Sequence, residues 1–81
     1  MTPEKARSIV LESVRQIVPD AELDTLDADA NLRDTLELDS LDFLGLVEML
    51  SERTGVRIDE DDYGRLDTLA SCVQYLTSEA R

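Results

Sequence analysis

Leu38-Asp39-Ser40-Leu41-Asp42-Phe43 decides the reading of this chain: it ends a loop and begins an amphipathic helix. Asp39 is suited to the N-cap, where its carboxylate can accept an orphan backbone N–H, and Asp42 places negative charge at the positive end of the helix dipole. Apolar residues follow at Leu41, Leu44, Val47 and Leu50, with Phe43 and Leu46 widening the stripe. Such spacing reads as one face of a 3.6-residue period. Gly55 suits the left-handed position after the last turn, and Arg53 suits the turn before it, so the helix runs from about Ser40 to Thr54. At its mouth Ser40 can turn its hydroxyl outward.

Upstream, Thr2 can cap a first helix with Pro3 at its first position and Glu4 in its first turn. Ala6, Ile9, Val10, Val14, Ile17 and Val18 recur at helical spacing, and Pro19 disfavours helical geometry at Val18. Pro19 to Leu38 has no clear period and is long for a connector. Its leucines, Leu23, Leu26, Leu32, Leu36 and Leu38, can pin it to the core, and Asn31 to Leu36 suits a short helical turn. Downstream, Gly55 to Ile58 connects to a brief turn from about Asp59 to Arg65. Asp67 or Thr68 then caps a last helix reaching about Ala80. No segment alternates with a strand period, and no repeat or low-complexity tract is present. The expected fold is all-α: a small four-helix bundle of three main helices and one short one with a long first loop, in one domain over 1–81.

The 81 residues include 19 acids and 8 bases, for a net charge of −11. Ten of the acids, against two bases, lie between Asp34 and Asp62. That field disfavours nucleic acid and anionic membrane as partners, because both need positive charge. It favours basic protein surfaces, with encounter rates that fall as salt rises. Part of the charge simply keeps a small domain soluble. No apolar run approaches the ~20 residues of a membrane span, and Met1-Thr2-Pro3-Glu4 lacks a signal pattern, so a cytoplasmic monomer is expected. The single cysteine, Cys72, falls at helical spacing with Leu69, Val73 and Leu76 and reads as a small core residue.

Self-contained catalysis is not expected. The chain has no histidine, so Ser40 lacks the usual general base. There is no Gly-rich phosphate loop and no Cys/His set of metal ligands. A serine modified by another enzyme needs no base of its own; it needs exposure and surroundings that tolerate the product.

From Asn31 to Leu76 the sequence resembles an acyl carrier protein, of the phosphopantetheine-binding carrier family. The resemblance rests on Asp39-Ser40-Leu41-Asp42, Leu46-Val47, Val56-Arg57-Ile58 with the acidic run Asp59 to Asp62, Leu66-Asp67-Thr68-Leu69, and Val73-Gln74-Tyr75-Leu76. A weaker match of the first helix extends it to nearly the whole chain. The resemblance implies that Ser40 bears a phosphopantetheine arm. A phosphopantetheinyl transferase would place it there from coenzyme A with magnesium, and Asp39 would help bind that ion in the complex. The arm's thiol would hold acyl groups as thioesters for acyl-transfer, condensing or modifying enzymes of fatty acid, polyketide or related pathways. Free N–H groups and the helix dipole favour a phosphodiester on Ser40, whereas Glu37, Asp39 and Asp42 repel it, so the phosphate is expected to point into water. Candidate residues lining an acyl-accepting core are Phe43, Leu44, Leu46, Val47, Ile58, Leu66, Leu69 and Val73, each of which taken singly is more simply core. Asp39, Leu41, Asp42, Glu48 and Glu52, with Asp59 to Asp62 nearby, form the expected partner face.

Two positions depart from the pattern of that family. Gly45 stands where many carriers of fatty acid synthesis have a glutamate, and Thr54 where a bulky apolar residue is common. Both leave room for a specialised carrier, including a peptidyl or aminoacyl carrier. Two other readings remain open to test. Asp27, Asp29 and Asn31 match the opening of a calcium-binding EF-hand loop, but Leu32 stands at its glycine and Leu38 at its bidentate glutamate. An acidic helical interaction module without a prosthetic group would share the same fold and charge.

Overall fold

Thr2 opens the first helix as its sequence suggests. In the computed structural model, which describes residues 1–79, the Thr2 hydroxyl accepts the Lys5 N–H at 3.2 Å and Pro3 begins α1 (Pro3–Ile17). Ala6, Val10 and Val14 lie four residues apart and are buried, the inward face that a 3.6-residue period dictates. Val18 closes the helix by donating its N–H to the Val14 carbonyl, immediately before Pro19.

The long loop is fixed by both side chains and backbone. Leu23 is buried and Leu26 half-buried against the core. The Asp27 carboxylate accepts the Asp29 N–H at 2.9 Å, a local turn that occupies one of the EF-hand-like acids. Asn31 likewise accepts the Asp34 N–H at 3.0 Å, capping the short helix α2 (Leu32–Thr35). Two backbone bonds stitch this region to the start of the last helix, from Leu32 N–H to the Asp67 carbonyl at 2.8 Å and from Ala70 N–H to the Ala28 carbonyl at 2.9 Å. Leu32 and Leu38 sit in the core, opposite to what a calcium loop requires of those positions.

α2 ends with Glu37 in the left-handed region at φ 54°. The Leu38 N–H reaches back to the Arg33 carbonyl at 2.9 Å, the six-to-one bond of a Schellman ending. Glycine is the usual residue at such a position, and a side chain there costs roughly 1 kcal/mol. Burial of Leu32 and Leu38 on either side holds the turn in place.

α3 (Ser40–Thr54) is closed at both ends. Asp39 and Asp42 form a reciprocal capping box, with the Asp42 N–H 2.8 Å from the Asp39 carboxylate and the Asp39 N–H 3.4 Å from that of Asp42. Gly55 takes φ 72° and donates its N–H to the Ser51 carbonyl. Thr54 earns its place there: its hydroxyl donates to the Leu50 carbonyl at 2.7 Å and accepts the Val56 N–H at 3.2 Å. Ser51 adds a bond from its hydroxyl to the Val56 carbonyl at 2.7 Å.

The inward face of α3 differs from the expected stripe. Phe43, Leu46, Val47 and Leu50 are buried, but Leu41 is 78% exposed and Leu44 39% exposed. The reason is angular. At about 100° per residue, steps of three drift backwards by about 60°, so Leu41 and Leu50 face opposite sides.

A 3₁₀ helix follows at Glu60–Leu66, and then α4 (Leu69–Glu79). The Thr68 hydroxyl accepts the Ser71 N–H at 3.0 Å, so Thr68 rather than Asp67 caps α4. The expected end of that helix at Ala80 lies outside the described residues. α4 buries Leu69, Cys72, Tyr75 and Leu76. α1 packs against both α3 and α4, and the 3₁₀ helix packs on α4. The described residues form an all-α bundle without a strand, in which the turn expected at Asn31 to Leu36 has become a fifth, very short helix.

Candidate functional site

Ser40 is the first residue of α3 and is exposed. The capping box occupies the N–H groups of Asp39 and Asp42, while Phe43 N–H bonds the Asp39 carbonyl at 3.0 Å. Among the described residues, the N–H groups of Ser40 and Leu41 carry no hydrogen bond. An anion attached to the Ser40 hydroxyl would therefore meet unpaired donors and the positive end of a 15-residue helix. Among the described residues, no basic or nucleophilic side chain is hydrogen-bonded to that hydroxyl.

A cleft of about 500 Å³ opens beside it, lined by Ser40, Phe43 and Leu44 of α3, by Asn31 and Arg33, and by Glu60, Tyr63, Gly64 and Asp67. Phe43 is the floor. The half-buried Tyr63 ring meets it edge-on, with centroids 5.7 Å apart and planes at 79°. The Arg33 guanidinium lies over the Phe43 ring, 5.2 Å from its centroid. Neither Arg33 nor Tyr63 stands out in the sequence. The signal that could have found them is spatial: α2 and the 3₁₀ helix flank the mouth of α3.

The eight apolar residues expected to line an acyl-accepting core do not share one cleft. Phe43 and Leu44 line the cleft at Ser40. Val47 and the half-buried Ile58 border a separate hollow with Tyr63, Glu48, Ser51 and Glu52. Leu69 and the half-buried Val73 line an apolar groove between α1 and α4. Leu46 and Leu66 are core residues bordering none of these hollows.

On the outward side of α3, Leu41, Leu44, Glu48 and Glu52 fall at steps of three and four, and all four are exposed. Leu44 thus leaves the core set and joins the outward face that carries Leu41, Glu48 and Glu52. Asp39 is also exposed and Asp42 half-buried, both committed to the cap. Gly45 abuts α1: a Cβ there would lie 3.3 Å from Cδ1 of Ile17. A larger side chain at this position would press on α1 unless Ile17 moved.

Cys72 takes no part in the site. Burial, and then the charge of Asp67, push its thiol up to about 12, and its sulfur lies 3.5 Å from the Leu66 carbonyl.

A family model for the phosphopantetheine attachment site matches residues 8–76. The chain is also 31% identical over 70 residues to acyl carrier protein 3 of Ralstonia nicotianae, covering 83% of this chain and 80% of that protein. This chain belongs to the acyl carrier protein family. Members of the family are non-catalytic carriers of a phosphopantetheine prosthetic group. A second relative, the acyl carrier protein of Lactobacillus johnsonii, is 36% identical over 55 residues, covering 68% of this carrier and 69% of its own length. Solved structures agree. The carrier superposes on the solution structure of an Anaplasma phagocytophilum protein assigned as an acyl carrier protein with a TM-score of 0.88, at 30% identity, covering 100% of this chain and 94% of that one. Against acyl carrier protein from Enterococcus faecalis the TM-score is 0.77, at 26% identity, over 98% and 99% of the two chains. The residues at the mouth of α3 fit the prosthetic group: an exposed hydroxyl, two unpaired N–H groups and one guanidinium in the adjoining cleft.

Proposed function

We propose that residues 1–81 act as one carrier domain with Ser40 as its attachment residue, joined through its hydroxyl to the phosphopantetheine arm. The observation that carries this reading is the exposed Ser40 at a helix mouth whose first two N–H groups are unpaired. When attached, the arm supplies a thiol on which acyl groups are held as thioesters for delivery to partner enzymes. The chain's own residues do three things. The capping box holds the mouth of α3 rigid, Ser40 points the attachment bond outward, and the acids of α3 recruit basic surfaces.

The partners are a phosphopantetheinyl transferase and acyl-transfer, condensing or modifying enzymes, met by a monomeric, cytoplasmic carrier. Leu41 and Leu44 supply apolar contact within a ring of acids formed by Asp39, Asp42, Glu48 and Glu52. Gly45, packed toward Ile17 and uncharged, removes one recognition charge and favours a specialised pathway, polyketide or other secondary metabolism, over ordinary fatty acid synthesis. Incubation with coenzyme A, magnesium and a broad-specificity transferase, followed by intact-mass measurement, tests the reading. One phosphopantetheine increment is expected on the wild type and none on Ser40→Ala. A wild type that gains nothing would leave an acidic interaction module without an arm.

A further inference from the structure

Arg33 is the one basic residue among those lining the Ser40 cleft. It is exposed, and among the described residues it forms no ion pair. Arg53, Arg57 and Arg65 each pair with a carboxylate; Arg33 shares its lack of an ion pair with Lys5, Arg7 and Arg15, but it alone of these four lines the Ser40 cleft. The guanidinium rests instead on the Phe43 ring. Its backbone is fixed as well, since the Arg33 carbonyl accepts the Leu38 N–H.

Phe43 follows Ser40 by three residues on α3. On a helix that spacing makes the two side chains neighbours, with Cβ atoms about 5–6 Å apart. The cation seated over Phe43 therefore shares one cleft with the Ser40 hydroxyl. Its planar fork has donors to spare, because the ring face accepts charge but takes none of its N–H groups in hydrogen bonds. Several acids stand against an anion here: Asp67 and Glu60 in the cleft, Asp39 and Asp42 at the cap, and Glu37 just before it. Without a counter-cation, those charges would drive a phosphodiester out into water.

We propose that Arg33 is a binding residue for the arm: its guanidinium, held over Phe43, pairs with the phosphodiester anion linked to Ser40. The phosphate then leans into the cleft toward α2 rather than away from the protein. The root of the arm is thereby fixed while its far end remains free. This inference rests on Ser40 being the attachment residue.

The test compares apo and arm-loaded wild type, Arg33→Gln and Arg33→Lys, at low and at high salt. Intact mass first establishes loading. Phosphorus NMR then reads the phosphodiester resonance, and proton–nitrogen spectra read the Arg33 Nε–H. In loaded wild type at low salt, the phosphorus resonance is expected to differ from that of the same protein unfolded in urea. The difference should shrink as salt rises. It should be smaller in Arg33→Gln, where only the N–H groups of the helix mouth remain, and intermediate in Arg33→Lys. The Arg33 Nε–H should shift on loading.

Equal phosphorus positions in folded, loaded wild type and Arg33→Gln would overturn the proposal, as would an Arg33 Nε–H indifferent to loading. The second readout needs no variant and holds even if Arg33→Gln folds poorly. A wild type that takes no arm fails at the mass measurement and overturns the Ser40 reading, and this inference with it.

Discussion

At the scale of single residues, the chain spends stability in places its sequence does not advertise. Ser13 is fully buried in α1, and its hydroxyl has no hydrogen-bond partner among the described residues. An unsatisfied buried hydroxyl is destabilising, and alanine is the better helix former. Ser13→Ala should therefore raise the free energy of unfolding by about 1 kcal/mol, read from urea denaturation. Cys72 gives a pH-dependent prediction. Its folded value of about 12 lies above its ordinary 9.0, so the proton is held more tightly in the folded state. That stability is complete below pH 9 and is lost as pH rises from 9 toward 12. Tyr75 adds to the same trend, since burial and then its hydrogen bond to Asp62 push its hydroxyl up. Cys72→Val should flatten the alkaline decline of the melting temperature relative to wild type. Core placement of Cys72 was legible from its helical spacing. The stranded Ser13 hydroxyl was not, because serine on a helix usually faces water.

Among the elements, α3 shows what a linear pattern conveys and where it stops. Asp39, Asp42, Arg53 and Gly55 mark its ends by chemistry that acts within a few residues, and the structure places both boundaries where those residues put them. Its rotation was less legible. Counting apolar residues in steps of three hid the drift that turns Leu41 and Leu44 outward. α2 was legible as a turn because Asn31 is a good cap, yet its ending was hidden, since nothing in a glutamate announces a positive φ at Glu37. The cleft was the least legible part. Arg33 and Tyr63 reach it from elements far apart in sequence, through packing that no local period encodes. On the outward face of α3, Glu48 and Glu52 are exposed and take part in neither a cap nor an ion pair among the described residues. Glu48→Lys and Glu52→Lys should each slow loading by the transferase several-fold at low salt. The melting temperature should change little, because exposed single charges contribute well under about 1 kcal/mol. Asp42→Lys, an equivalent probe by sequence alone, would also open the capping box and lose stability.

For the whole molecule, the net charge of −11 works on the fold and on recognition with opposite signs. Self-repulsion among clustered acids loosens the compact state, while the same field draws in a basic partner. Raising ionic strength screens both effects, over about 10 Å at 0.1 M. The melting temperature of the apo-protein should therefore rise with sodium chloride, while the rate constant for loading by the transferase falls over the same range. A loading rate indifferent to salt would mean that the acidic face has no part in partner encounter. The charge itself was plain in the composition. Its distribution around α3 became legible only once helix rotation separated capping acids from outward ones.

The central claim is that the Ser40 hydroxyl carries the arm, and peptide mapping of the loaded protein tests it most directly. After proteolysis, tandem mass spectrometry should find phosphopantetheine on the peptide containing Asp39-Ser40-Leu41, released from it on fragmentation, and on no other serine or threonine. An arm located on any other residue, or a fully loaded Ser40→Ala protein, would contradict the account.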